Sequence, residues 1–252
     1  MDSNRFICDS NTITTDCYTN KMEQITPQEY PQVAIQVEEP VYLKDPLASE
    51  LGKKIVSEGA VLMYELGYEH FTFKKLGIRI NSTEASIYRY FENKHKLLVF
   101  YFLYYWHDTE NRIAFATANI KNPETRLRAA INVMVSEPNE DPSALISNPV
   151  LKNLITSEYV KVYLSKTVDE ANNRGIFKVY KRVCHKLVKI SLEISPDYPW
   201  AVPLLSTIIE SIYFQRYYSE HLPSLTHPWK NEKELLNFFM EMILNNIKGI
   251  RK

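Results

Sequence analysis

An all-α fold is predicted for this chain by three observations. Only six glycines occur in 252 residues, roughly a third of the ~7% average of soluble proteins, so the φ > 0 positions of tight hairpins are scarce. Thirteen prolines fall in clusters, at Pro27–Pro46, Pro123–Pro149, Pro196–Pro203 and Pro223–Pro228, and leave proline-free spans in which helices can run. Within those spans apolar residues recur at helical spacing rather than alternating. Apolar residues make up 45% of the chain, enough to build a buried core.

The formal charge of zero hides a gradient. Residues 1–46 carry eight acids (Asp2, Asp9, Asp16, Glu23, Glu29, Glu38, Glu39, Asp45) against three bases (Arg5, Lys21, Lys44), which leaves 27 bases and 22 acids for the other 206 residues. With no sustained helical period and no apolar face to offset the entropy of ordering, residues 1–46 are expected to form a flexible acidic tail. The alternating Val33–Val37 could pair as a strand, though five residues between prolines carry little weight. Three cysteines, Cys8, Cys17 and Cys184, lack both the even count of a disulfide framework and the spacing of a zinc site, so a reducing cytoplasm is expected. The N-terminus has no apolar leader and the longest strongly apolar run, Leu97–Trp106, is too short for a bilayer, so no membrane association is expected.

The elements follow in order. Leu47, Leu51, Ile55, Leu62 and Leu66, broadened by Val56, Ala60 and Met63, predict a first helix over 47–66 that stops at Gly67. Thr72 can cap a short second helix, Phe73–Arg79, with Phe73, Leu76 and Ile80 inward. After the turn Asn81-Ser82, Thr83 caps a third helix on which Ile87 and Phe91, four apart, face the same way. Asn93 caps a fourth, from Lys94 to about Ala118. Further helices are predicted near 124–136, 149–168, 170–194, 199–221 and 230–249.

Two short helices joined by a brief turn, with another helix packed across them, make a helix-turn-helix, whose second member enters the major groove of DNA. With Ile87 and Phe91 inward, the third helix presents Glu84, Ala85, Tyr88 and Arg89, flanked by Ser86 and Tyr90. Between Thr72 and Lys96 six bases (Lys74, Lys75, Arg79, Arg89, Lys94, Lys96) face two acids (Glu84, Glu92), a local basic footprint inside a neutral chain. Tyr88, Tyr90 and Thr72 can hydrogen-bond phosphate oxygens. Lys94, in the first turn of the fourth helix, can hold a phosphate beside the free N–H groups there. Arg89 can reach a guanine edge or a phosphate, Ser86 can donate or accept at a base, and Glu84 can accept from a cytosine amino group.

This stretch resembles the TetR/AcrR family of transcriptional regulators. The match runs through Gly67-Tyr68, Thr72, Leu76-Gly77, Ile80-Asn81-Ser82-Thr83, Ala85-Ser86-Ile87-Tyr88-Arg89-Tyr90-Phe91, Asn93-Lys94 and Leu97-Leu98 without a gap. It departs at Phe71, where the family usually has Thr, Gly77 for Ala, Ile80 for a small Ala, Asn81 for Gly and Ser82 for an apolar residue. Asn tolerates the left-handed conformation, so the turn is expected to survive. The resemblance implies DNA contacts by Lys74, Glu84, Ser86, Tyr88, Arg89, Tyr90 and Lys94, with Thr72 at the backbone. It also implies a homodimer on a double-stranded operator, with a C-terminal helical domain that takes a small-molecule effector and changes the spacing of the two reading heads.

Past the head, the aromatic block Phe100–Trp106 covers every face of its helix. Core packing is its first account, with Tyr105 and Trp106 also candidates for ligand contact. Leu204, Leu205, Ile208, Ile209, Ile212 and Tyr213 form one stripe, and Leu235, Leu236, Phe239, Met242, Ile243 and Ile247 another. Each is wide enough to meet its own domain and a partner, and in the family the corresponding helices form a four-helix dimer interface. Leu205, Ile208, Ile209, Ile212, Leu236, Phe239 and Ile243 are therefore the expected dimer residues, with intramolecular core as the alternative. No Gly-rich phosphate loop, His-Glu-x-x-His pair or Gly-x-Ser-x-Gly elbow occurs, so no enzyme activity, cofactor or metal site is expected. The organisation expected is a tail (1–46), a three-helix DNA-binding domain with a helix-turn-helix (47–98) and a larger helical effector-binding and dimerisation domain (99–252). The function expected is sequence-specific transcriptional regulation, by a repressor that an effector releases. The alternative is a helical ligand-binding or scaffold protein that keeps the head but lacks operator binding.

Overall fold

A computed structural model describes residues 41–137 and 144–249, and every regular element among them is helical. The tail expected over 1–40 and the strand considered at 33–37 lie outside the described residues. Residues 41–46, assigned above to that tail, are instead packed on the head. Val41 is buried, the Leu43 N–H donates to the Tyr90 carbonyl at 2.7 Å, and Pro46 lies against Gly52 so closely that a Cβ there would sit 2.2 Å from the Pro46 oxygen.

Ser49 caps α1 (Glu50–His70), which buries Ile55, Val56, Ala60 and Met63 and breaks at Gly67, where φ is 74° and ψ 156°. Thr72 caps α2 (Phe73–Arg79) by accepting from the Lys75 N–H, Thr83 caps α3 (Glu84–Tyr88) through the Ser86 N–H, and Asn93 caps α4 (Lys94–Thr117) through the Lys96 N–H. Each cap satisfies an amide that the helix leaves without an internal partner. Helix α4 runs unbroken through the expected domain boundary at 98 and carries the head into the core. Phe100, Tyr101, Phe102 and Trp106 on it are fully buried, and the Tyr101 hydroxyl donates to the Val56 carbonyl at 3.0 Å.

Helix α5 (Pro123–Val135) starts with Pro123 after the Asn122 cap and packs on α4. The helix expected over 149–168 is divided into α6 (Asn148–Glu158) and α7 (Val160–Tyr163). The one expected over 170–194 becomes α8 (Val168–Asn173) and α9 (Lys178–Ile194). Gly175, at φ 85°, is the cause of the second division, because the left-handed turn there ends one helix and lets Ile176 and Phe177 drop into the core. Helix α9 packs against α4, α5 and α10 (Ala201–His221), and α11 (Glu232–Lys248), capped by Asn231, lies on α5 and α10. The described residues belong to one compact unit, and α1 of the head rests on α6.

Candidate nucleic-acid interface and inner pocket

The turn between α2 and α3 is built from two residues that differ from the family's usual choice. Asn81 adopts φ 52°, the left-handed conformation that Asn tolerates. Gly77 lets the chain double back, since a Cβ at Gly77 would lie 2.9 Å from the Ser82 carbonyl oxygen. Helix α3 is held from below by Ile87 and Phe91, both fully buried, and from the side by Phe73, whose ring meets that of Tyr88 at 5.0 Å. Tyr88 nevertheless stays 46% exposed. Arg89, Thr72 and Lys74 are exposed on the same head, and Glu84 and Ser86 are half-buried. Thr83 and Ser86 share a hydroxyl bond of 2.8 Å beside the cap. Glu84 occupies the first turn of α3, where free N–H groups and the positive dipole end favour a carboxylate, so a local cause exists for an acid on a basic face.

Three other polar residues of the head are engaged by the head itself. Arg79 bridges α2 to α1 on the surface through Glu58 at 2.8 Å and Glu65 at 2.6 Å, so its guanidinium is paired within the head. Tyr90 and Lys94, expected above to hold phosphates, are engaged by other parts of the head. Tyr90 is 3% exposed, its hydroxyl bonds the Ser49 hydroxyl at 2.8 Å, and that bond holds the phenol below its ordinary pKa. The Lys94 ammonium donates to the carbonyls of Tyr68 at 2.8 Å and Glu69 at 3.1 Å and lies 4.4 Å from the Tyr68 ring centre. These carbonyls form the negative end of α1, which a cation stabilises. Tyr90 ties α3 to the start of α1, and Lys94 ties α4 to its end.

The break at Gly67 gives the head its link to the core. Beyond it, the Tyr68 N–H donates to Glu158 Oε1 at 3.1 Å. Glu158 closes α6, is 8% exposed, and is paired through its other oxygen with the Lys161 ammonium at 2.6 Å. A carboxylate buried with its charge neutralised and its oxygens bonded forms a specific joint rather than a slippery contact.

Next to Glu158, Tyr159 enters an inner pocket. Phe102 and Trp106 of α4, Ile155 of α6, Tyr159, Tyr163 of α7, and Glu210 and Tyr213 of α10 line a narrow seam that holds no water-sized void. Glu210, half-buried, accepts from the Tyr180 hydroxyl of α9 at 2.6 Å. Burial pushes the Glu210 carboxyl above the ordinary range, while the bond from the Tyr180 phenol pulls the other way. Trp106, 1% exposed, packs on Tyr180 at 4.6 Å between ring centres, and its buried indole N–H has no hydrogen-bond partner among the described residues. Of the two residues expected to meet a ligand, Trp106 lines the pocket. Tyr105, 5% exposed, reaches it through a 3.0 Å bond to the Tyr213 hydroxyl. Tyr159, Tyr163, Tyr180, Glu210 and Tyr213 went unforeseen. The one hint was an acid at 210 inside the apolar stripe 204–213.

The expected dimer residues also need correction. Leu205, Ile208, Ile209, Ile212, Phe239 and Ile243 are fully buried within the single chain and Leu236 is 7% exposed, so their surfaces are already covered by α5, α9 and each other. The apolar side chains left open on α10 and α11 are Val202, Phe214, Tyr217 and Phe238. Cys184 is buried, which raises its thiol pKa. Among the described residues no helix is long and apolar enough to cross a membrane, and no group of three His, Cys, Asp or Glu could hold a metal ion.

Comparison with known proteins adds three findings. Residues 55–99 match the model of the bacterial regulatory proteins of the tetR family, N-terminal domain. Two solved structures share the fold. One is AibR in complex with isovaleryl coenzyme A and operator DNA, 17% identical over 75% of this chain and 97% of that one, with a TM-score of 0.51. The other is the ketosteroid transcriptional regulator KstR2 of Mycobacterium tuberculosis, 12% identical over 79% of this chain and 96% of that one, also at 0.51. No curated protein matches the chain's sequence significantly.

Proposed function

From a chain that carries a tetR-family helix-turn-helix head on an all-helical core, we propose that it is a sequence-specific DNA-binding transcriptional regulator, a repressor released by a small molecule entering the inner pocket. The observation that carries the reading is the division of the head's polar residues. Tyr88, Arg89, Lys74 and Thr72 are left exposed around α3, while Arg79, Tyr90 and Lys94 fix the helices that present them. Arg89 and Ser86 would read base edges, Tyr88, Thr72 and Lys74 would bond phosphates, and Glu84 would select against bases that offer only acceptors. Tyr90 and Lys94 act as positioning residues.

Release follows from the joint at α6. Tyr159 lines the pocket beside Glu210, and Glu158, one residue earlier, holds the Tyr68 amide of the head. A ligand that parts Tyr159 from Glu210 must shift the end of α6, and the head moves with it. The equilibrium between the two positions moves by the ligand's difference in affinity for them. Two copies would place two reading heads on successive major grooves. In that homodimer the open residues Val202, Phe214, Tyr217 and Phe238 replace the buried ones as contacts. Operator DNA and coenzyme A are named for AibR, and a ketosteroid for KstR2. Double-stranded operator DNA is the proposed partner of this chain, with neither of those two effectors. The domain division proposed is 41–98 for the head and 99–252 for the core, acting in the cytoplasm without catalysis.

The test is capture of random genomic fragments by the full chain over a salt series. Selective enrichment of a few fragments, with affinity falling steeply as salt rises, supports the regulator. Absence of capture at low salt returns the chain to the alternative of a helical ligand-binding protein with a silent head.

A further inference from the structure

We infer that Lys44 is a further DNA contact, its ammonium meeting a backbone phosphate at the C-terminal end of α3, where an arm formed by residues 41–46 presents it. The inference rests on the proposed function, since it adds a contact to the same reading head. Tyr90 leaves that place to another group: it follows α3 closely, yet it is 3% exposed and its hydroxyl is bonded to Ser49. Over its ring lies Lys44, an exposed residue whose ammonium is 5.1 Å from the ring centre. The Tyr90 phenol is held below its ordinary pKa first by the Ser49 bond and then by the charges of Lys44 and Arg89, so the two cations gather at one spot. Arg89 is already assigned to DNA, and Lys44 stands beside it.

The arm is held by the head. Val41 is 1% exposed, the Leu43 N–H donates to the Tyr90 carbonyl at 2.7 Å, and Pro46 is buried against Gly52. Ordering a segment costs entropy, and a cation placed beforehand loses less of it on meeting its partner. Neither neighbouring acid pairs with Lys44: Asp45 accepts from the Leu47 N–H at 2.8 Å, and Glu50 is bound to Lys53 at 2.9 Å. The basic footprint of residues 72–96, by contrast, is partly engaged. Arg79 is paired with two glutamates, Lys75 donates to the His70 carbonyl at 2.9 Å, and Lys94 donates to those of Tyr68 and Glu69. A reading helix in the major groove is flanked by phosphates, and contacts to them position the helix without reading sequence. An unpaired cation fixed at the end of α3 suits that role.

The experiment measures the affinity of the full chain for one captured genomic fragment and one scrambled fragment of equal length over a salt series. Lys44→Ala should weaken both alike and make the plot of log affinity against log salt shallower by about one, with melting unchanged. Leu43→Pro removes the amide bonded to Tyr90 and leaves the lysine in the chain, and it should give the same shallower slope. Lys189→Ala takes an exposed charge from α9 in the core and should leave the slope as it was. An unchanged slope for Lys44→Ala, a full slope for Leu43→Pro, an equal loss for Lys189→Ala, or a Lys44→Ala loss confined to the captured fragment overturns the inference. If the unaltered chain binds selectively and steeply while Lys44→Ala matches it, Lys44 falls and the regulator stands. If the unaltered chain captures no DNA at low salt, the regulator falls and Lys44 with it.

Discussion

The head and the core place their polar side chains in opposite directions. Around α3, Tyr88, Arg89, Lys74 and Thr72 stand exposed over a floor of fully buried Ile87 and Phe91. In the core, Tyr105, Tyr213, Tyr159 and Glu210 turn toward one another across α4, α6, α7 and α10, and burial raises the pKa of each. A face whose polar groups stay in water suits a large, charged and hydrated partner. A pocket whose polar groups face one another suits a partner small enough to be enclosed. The joint between them is short. Tyr68 N–H, Glu158 and Tyr159 pass from head to pocket within two consecutive residues of α6 and its end.

The contrast can be broken most forcibly at the floor of the head. Phe91→Ala should cost about 3–5 kcal/mol, seen as an early melting transition that removes DNA binding to every sequence while the Trp106 environment persists. A single, fully cooperative transition at the same shift would show that the head has no separate stability.

A smaller effect sharpens the assignment of the two lysines. Lys94→Ala removes the ammonium from two carbonyls and a ring, so it should lower stability by about 1–3 kcal/mol and weaken DNA binding with the salt slope unchanged. Lys74→Ala should leave melting unaltered and reduce that slope by about one. The reverse pattern would return Lys94 to the phosphate. Tyr90→Phe, which deletes the bond to Ser49, belongs with Lys94 and should cost about 0.5–1.5 kcal/mol.

The smallest effect is in the core and depends on pH. The Glu210 carboxyl is raised by burial, so the folded state holds its proton more tightly than the unfolded chain does. Between the ordinary 4.5 and the raised value, stability from this group therefore falls as pH rises. Glu210→Gln should flatten that limb of the melting-temperature profile, and an unchanged limb would assign it to other groups.

What could be read from the residues alone followed the range of the interaction. The caps Thr72, Thr83 and Asn93 each bond an amide three residues on, and fixed local offsets of that kind are visible in a sequence. Periodicity placed Ile87 and Phe91 inward for the same reason. It also marked Leu205, Ile208 and Phe239 as apolar without saying what covers them, because a stripe has the same spacing against its own chain or another. The roles of Lys94, 26 residues from Tyr68, and of Glu210, 30 residues from Tyr180, depend on how distant segments meet. No local pattern carries that information. The aromatic block at 100–106 was legible as core, while the acid it would face was not.

The most direct test of the account measures the affinity of one captured genomic fragment and of a scrambled fragment of equal length, for the unaltered chain and for Arg89→Ala, over a salt series. The account predicts that the unaltered chain prefers the captured fragment, and that Arg89→Ala loses that preference by about 1–3 kcal/mol while still binding both in a salt-dependent way. A preference that survives Arg89→Ala in full would contradict the assignment of α3 as the reading helix.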